Sequence, residues 1–120
     1  MDSRTLLIGW FLNVNDINFK LKHKTTIGKD LACDIIIDDE TVASHHVTLY
    51  LHSRFIYIVM HSSTRNTFLN RRPIINYHNA PPDSVLTIGT FSMLIKRKVE
   101  LQITPTPELK IQDKQITTTN

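Results

Sequence analysis

Three short polar stretches hold most of the chemistry this chain can offer. They are Ile27-Gly28-Lys29-Asp30, Val42-Ala43-Ser44-His45-His46 and Ser62-Ser63-Thr64-Arg65-Asn66-Thr67. Their hydroxyls, cations and amides are donors suited to an anion. Gly28 lets the backbone turn sharply and aim Lys29 outward from a strand end. Ser62, Ser63, Thr64 and Thr67 bring hydroxyls and backbone N–H groups, and Arg65 brings a planar fork for a bidentate contact. Asn66 tolerates the left-handed backbone of a tight loop. The chemistry is capture of a phosphate, on the expectation that the three stretches converge. Composition alone leaves ordinary polar turns equally open, and spacing cannot demonstrate convergence.

Catalysis finds little support. The only three glycines, Gly9, Gly28 and Gly89, form no phosphate-cradling loop, and no nucleophile stands in a recognisable elbow. His45 and His46 are adjacent, so on a strand they point to opposite faces and would not share a metal. The expectation for His46 is a buried, hydrogen-bonded histidine. Asp38-Asp39-Glu40 lacks the further acids and glycine of a calcium loop and reads as a solvated acidic turn. Cys33, the single cysteine, excludes an intrachain disulfide and reads as a small buried hydrophobe. No metal, no cofactor and no enzymatic activity are expected.

The segments between these stretches must position them, and they read as strands. Thr5–Val14 is apolar, and after the Asn15-Asp16 turn Ile17-Asn18-Phe19-Lys20-Leu21 alternates, predicting a hairpin with Ile17, Phe19 and Leu21 inward. Thr25-Thr26-Ile27 ends at Gly28. Ile35-Ile36-Ile37 fits a strand buried on both faces or crossing a sandwich. His46–Leu51 and Arg54–Met60 alternate around the turn at His52-Ser53. Thr67-Phe68-Leu69 and Ile74-Ile75 are brief strand candidates, Asn76–Asp83 with its Pro81-Pro82 pair reads as a loop, and Val85–Ile88 with Phe91–Ile95 as a closing hairpin. No helical period is sustained. Short strands with frequent turns predict an all-β sandwich.

The 120 residues suit one domain with a real core, and 41% hydrophobic against 21% charged residues argues against disorder. A formal charge of +3 is too small to imply a nucleic-acid binder, so Lys96-Arg97-Lys98 reads as a solvated strand end. No apolar run reaches membrane-spanning length, and the Met1-Asp2-Ser3-Arg4 start lacks signal-peptide features. An intracellular location without membrane or nucleic-acid partners is expected. Composition shifts after Val99: residues 1–99 read as the domain, and residues 100–120, with Thr104-Pro105-Thr106-Pro107, as a polar tail or linker. The two Thr-Pro pairs are candidate proline-directed phosphorylation sites. Leu101, Ile103, Leu109 and Ile111 are the tail residues that could dock on the sandwich.

Ile27-Gly28-Lys29, Cys33-Asp34-Ile35, Val42–Val47 and Ser63–Asn70 resemble, in order and spacing, the signature of the forkhead-associated (FHA) domain. Leu86-Thr87-Ile88-Gly89 is similar to that family's closing region, and the likeness spans about residues 5–97. The resemblance implies a sandwich of about eleven mostly antiparallel strands that binds phosphothreonine peptides through loops at one end. It implies a non-catalytic adaptor in signalling, sometimes placed at the N-terminus of a Ser/Thr kinase.

Carried over residue by residue, the match is uneven. Lys29 stands where the family has its phosphate-binding arginine, which keeps the charge and loses the fork. Ala43 replaces the family's phosphate-binding serine, with Ser44 next door at a variable position able to contact the ligand. Thr64 matches the threonine beside the phosphate. Arg65 replaces the asparagine that holds the peptide backbone, and Asn66 the glycine after it. Gly28, His46 and Asn70 match positions that support the loops. The implied recognition surface is Lys29, Ser44, Thr64, Arg65 and Asn66. Loss of the serine hydroxyl implies binding weaker by about tenfold or more, which Arg65 offsets if it turns toward the phosphate. Ala43 and Arg65 also keep open a phosphate-independent assembly role.

Overall fold

The computed structural model describes residues 2–61 and 66–105. All regular structure in them is strand: β1 (Asp2–Val14), β2 (Ile17–Lys20), β3 (Lys24–Gly28), β4 (Ile35–Ile36), β5 (Val47–Leu51), β6 (Ile56–Met60), β7 (Thr67–Leu69), β8 (Arg72–Pro73), β9 (Tyr77–Ala80), β10 (Val85–Ile88) and β11 (Phe91–Pro105). One sheet runs β2-β1-β11-β10-β7-β8 and the other β4-β3-β5-β6-β9. The expected all-β sandwich is the architecture found.

Residues 9–98 form one compact unit, which holds the core. Period-two alternation supplies that core from both sheets. Trp10, Leu12, Leu86, Ile88, Met93 and Ile95 come from the first sheet, and Ile27, Val47, Leu49, Ile56 and Ile58 from the second. Burying such side chains contributes about 1.5–3 kcal/mol each before the entropy cost of ordering the chain. The second unit comprises residues 1–8 with 99–120, and its described part is the first half of β1 and the last part of β11. Residues 100–105 therefore continue β11, while residues 106–120, with Thr106, Leu109 and Ile111, lie outside the described residues. Leu101 and Ile103 stand exposed on that strand.

Four local expectations are corrected. Leu21 is buried, but Ile17 and Phe19 remain 58% and 38% exposed. Their register opposite Val14 and Leu12 puts them on the core side, yet β2 is the outermost strand of its sheet, where little covers it. The isoleucine run is not buried on both faces: Ile35 and Ile37 point inward while Ile36 is exposed, because β4 is a two-residue edge strand parallel to β3. Ile74 and Ile75 form no strand. That role falls to Arg72-Pro73, with Ile74 buried and Ile75 exposed. Asn76–Asp83 is not all loop, since Tyr77–Ala80 pairs with Ile56–Val59 as β9. Only Ala80 of β9 is buried, so a polar edge strand looked like a turn.

Candidate functional site

Two of the three polar stretches meet through their main chains. The carbonyls of Ala43 and Ser44 accept the N–H groups of Lys29 (2.9 Å) and Asp30 (3.0 Å), and the Ile27 carbonyl accepts His46 N–H at 2.9 Å. The loop after β3 and the loop before β5 are thus stitched side by side. Gly28 lies at the seam. A Cβ there would stand 2.2 Å from the Ser44 carbonyl oxygen and 3.0 Å from Cys33 Sγ. Its φ is not in the left-handed region. The glycine is therefore needed for close approach of two backbones, rather than for the sharp turn expected from sequence.

The first loop is ordered internally as well. Asp30 Oδ1 accepts Ala32 N–H at 2.7 Å, its carbonyl accepts Cys33 N–H, and Cys33 Sγ donates to the Ser44 carbonyl at 3.4 Å. Cys33 is buried as expected, and desolvation, with the Asp30 charge nearby, pushes its thiol pKa up. A thiol so held is inert packing. Beyond Cys33, the Asp34 carboxylate pins the chain back onto β3. Lys22 Nζ and the Thr26 N–H and hydroxyl all donate to it. These donors, Lys22 foremost, lower its pKa from 3.8 to about 2.

His46 holds the second loop from within. It is 1% exposed. Its Nδ1 accepts Ala43 N–H at 2.9 Å, so the ring proton sits on Nε2 and is donated to Thr67 Oγ1 at 2.8 Å. One imidazole therefore ties the Ala43 loop to the first residue of β7. Thr67 is buried and engaged by His46, which removes it from the hydroxyls expected to face a phosphate.

The third stretch is bracketed at the same place. His61 N–H donates to the His46 carbonyl (3.3 Å), His61 Nε2 pairs with Thr48 Oγ1 (3.1 Å), and the Asn66 carbonyl accepts Gly89 N–H (2.8 Å). Asn66 is exposed and has φ 55°, the left-handed conformation its side chain tolerates. Ser62, Ser63, Thr64 and Arg65 lie outside the described residues. Asn70 is at the other end of β7, where its Oδ1 accepts Val85 N–H (2.8 Å) and its own N–H reaches the Val85 carbonyl (2.9 Å). It fixes β7 to the start of β10.

Lys29 and Ser44 are both exposed on the stitched loops, and Ala43 is half-buried between them. Sequence reasoning missed the acid nearby. The Asp39 carboxylate is held below its ordinary range first by the Thr41 hydroxyl, then by the Thr41 N–H, and also by the Lys29 charge. Thr41 in turn sits against Gly89, whose φ is 61° and whose added Cβ would lie 2.2 Å from Thr41 Oγ1. The Asp-x-Thr spacing of a side-chain-capped turn was the available signal. Among the described residues no group of His, Cys, Asp and Glu could hold a metal. Nor is any helix long and apolar enough to cross a membrane.

The FHA domain family matches residues 25–89, which include both stitched loops, His46, Asn66 and Asn70. The chain belongs to the FHA family. No curated protein matches the sequence. Among solved structures, the FHA domain of CT664 protein from Chlamydia trachomatis aligns with a TM-score of 0.68 at 20% identity, covering 73% of this chain and 96% of that one. The N-terminal FHA domain of Rad53p from S. cerevisiae, solved with a phosphothreonine peptide, gives 0.65 at 14% identity over 75% and 94% of the two chains. EmbR of Mycobacterium tuberculosis, solved with a low-affinity phosphopeptide, gives 0.66 at 16% identity over 73% of this chain and 24% of that one. At such identities these likenesses establish the FHA sandwich. FHA domains are non-catalytic modules of phosphopeptide recognition.

Proposed function

We propose that this FHA domain is a non-catalytic phosphothreonine-peptide-binding module. Its recognition surface is Lys29, Ser44, Thr64, Arg65 and Asn66, supported by Gly28, His46 and Asn70. The observation that carries this reading is the stitched loop pair. Two backbone hydrogen bonds hold Lys29 beside Ala43-Ser44, and His46 braces the same loop from below. A pre-ordered rim binds a doubly charged phosphate without first losing loop entropy. Solved FHA relatives carry phosphothreonine ligands, which supports the same class of ligand here.

Fluorescence polarisation against matched phosphothreonine, phosphoserine and unphosphorylated peptides tests the reading. The phosphothreonine peptide binds most tightly, and Lys29→Ala or Arg65→Ala weakens it by about tenfold. Equal affinity for all three peptides would overturn the proposal.

A second reading has its own observation. Ala43 supplies no hydroxyl at the loop seam, and Arg65 stands where the family has its asparagine. A site so weakened in phosphate attraction would leave an assembly module that captures its partner without phosphorylation. Pull-downs from phosphatase-treated and untreated extracts separate the two. A place at the N-terminus of a kinase is compatible with either.

A further inference from the structure

A second feature lies on the outer face of the six-stranded sheet. Trp10 and Leu12 of β1 and Met93 and Ile95 of β11 point into the core. Their alternate neighbours Phe11, Asn13, Leu94, Lys96 and Lys98 therefore share the opposite face. Register places Asn18 opposite Asn13 and Lys20 opposite Phe11 on that face. Phe11, Asn13, Asn18, Leu94, Lys96 and Lys98, with Arg97, line a cavity of about 470 Å³, within the range of ligand sites. Neither Lys29, Ser44 nor Asn66 lines it.

Its chemistry is that of an anion site with an apolar floor. Half-buried Phe11 and Leu94 form the floor. Arg97 also touches the cavity, but it has the inward parity of Met93 and Ile95, and its Nε is buried. Lys96 has one acidic neighbour, Asp83 at 3.0 Å, but both side chains are at least half exposed, so the pair is weak and exchangeable. Asn13 Nδ2 donates to Asn18 Oδ1 at 2.9 Å, which fixes an amide wall across the two strands.

We propose that this cavity binds a glutamate- or aspartate-rich peptide segment in extended conformation. Lys96 and Lys98 are two residues apart on one strand, so their stems repeat at about 6.7 Å, the repeat of alternate side chains in an extended peptide. Carboxylates at alternate positions thus meet the two ammonium groups in register. Single-stranded nucleic acid fits less well, because successive bases need successive aromatic platforms and the cavity lining has Phe11 as its one aromatic. A membrane surface fits less well too, because Phe11 and Leu94 are half-buried floor residues, not projecting wedges.

Fluorescence anisotropy on the full chain tests this, with a labelled, unphosphorylated peptide of alternating glutamate and leucine. The controls are the same peptide with glutamine for glutamate, an oligothymidylate, and phosphatidylserine vesicles. The glutamate peptide binds, and its affinity falls with added salt. Lys98→Glu lowers affinity by about tenfold or more, and Lys96→Gln by several-fold. Both positions are exposed, and circular dichroism checks that the sheet is retained. Saturating phosphothreonine peptide leaves the glutamate peptide bound. Equal binding of the glutamine peptide, or unchanged affinity in folded Lys98→Glu, would overturn the proposal. So would tighter binding of the oligonucleotide or vesicles. Displacement by the phosphothreonine peptide would place the acidic peptide on the loops, overturning this site and leaving the loop site intact.

Discussion

Ala43 is fixed on both sides of its Cα. Its N–H goes to His46 Nδ1 and its carbonyl receives Lys29 N–H. Neither bond involves the side chain, so a hydroxyl can be added without rearranging the main chain. Ala43→Ser is therefore expected to raise affinity for a phosphothreonine peptide by about tenfold, the worth of one charge-assisted hydrogen bond. Fluorescence polarisation of the two proteins side by side reads it, and an unchanged or lower affinity would count against phosphate lying at this loop. The substitution is also informative about legibility. Ala43 was visible in the sequence as a missing oxygen, whereas the Lys29 charge acting on Asp39 was not. That influence crosses from one loop to another, and only the folded backbone brings the two loops near each other.

At the scale of elements, the loops depend on how closely β3 and the chain before β5 approach. Gly28→Ala would force a methyl group to within 2.2 Å of a backbone oxygen. The loops must separate, at a cost of about 3 kcal/mol or more. Urea denaturation should show that loss, and peptide binding should weaken with it, since Lys29 and Ser44 ride on the two displaced strands of backbone.

Asp34 locks the other end of the same connection. Its pKa falls from 3.8 to about 2 on folding, so its stabilisation is fully present above the unfolded value and is lost as pH drops through about 2. Asp34→Asn should cost about 1 kcal/mol at neutral pH, after allowance for solvent screening. It should also flatten the acid limb of a stability-against-pH curve between those two values. Strands with clear alternation, such as Val47–Leu51 and Ile56–Met60, were legible as elements. The edge strands β8 and β9 were not. Tyr77–Ala80 has one buried residue, so period-two hydrophobicity had nothing to mark, and Ile36 looked like core because its neighbours are core.

At the scale of the whole molecule, the fold was legible because many weak local signals agreed on one sandwich. The site was legible only in part. Lys29 and Ser44 are exposed on the stitched loops and His46 is buried and hydrogen-bonded, while Thr67 proved to be an internal brace because its burial depends on β7 packing beneath His46. The far reach of β11 was hidden by composition, since Leu101–Pro105 looks like the start of a tail.

That reach has a mechanical consequence. The first and last strands are neighbours, and residues 2–8 gather with residues 99–105 in one unit. A pull on both ends of this span would load the β1–β11 hydrogen bonds one after another, as in opening a zip, rather than all at once in shear. Optical-trap extension with handles at Asp2 and Pro105 should show β1 peeling from β11 at low force before the rest of the sandwich gives way. A single high-force rupture would indicate that the two strands are loaded in parallel. A domain gripped in this way yields first at the ribbon its two ends share.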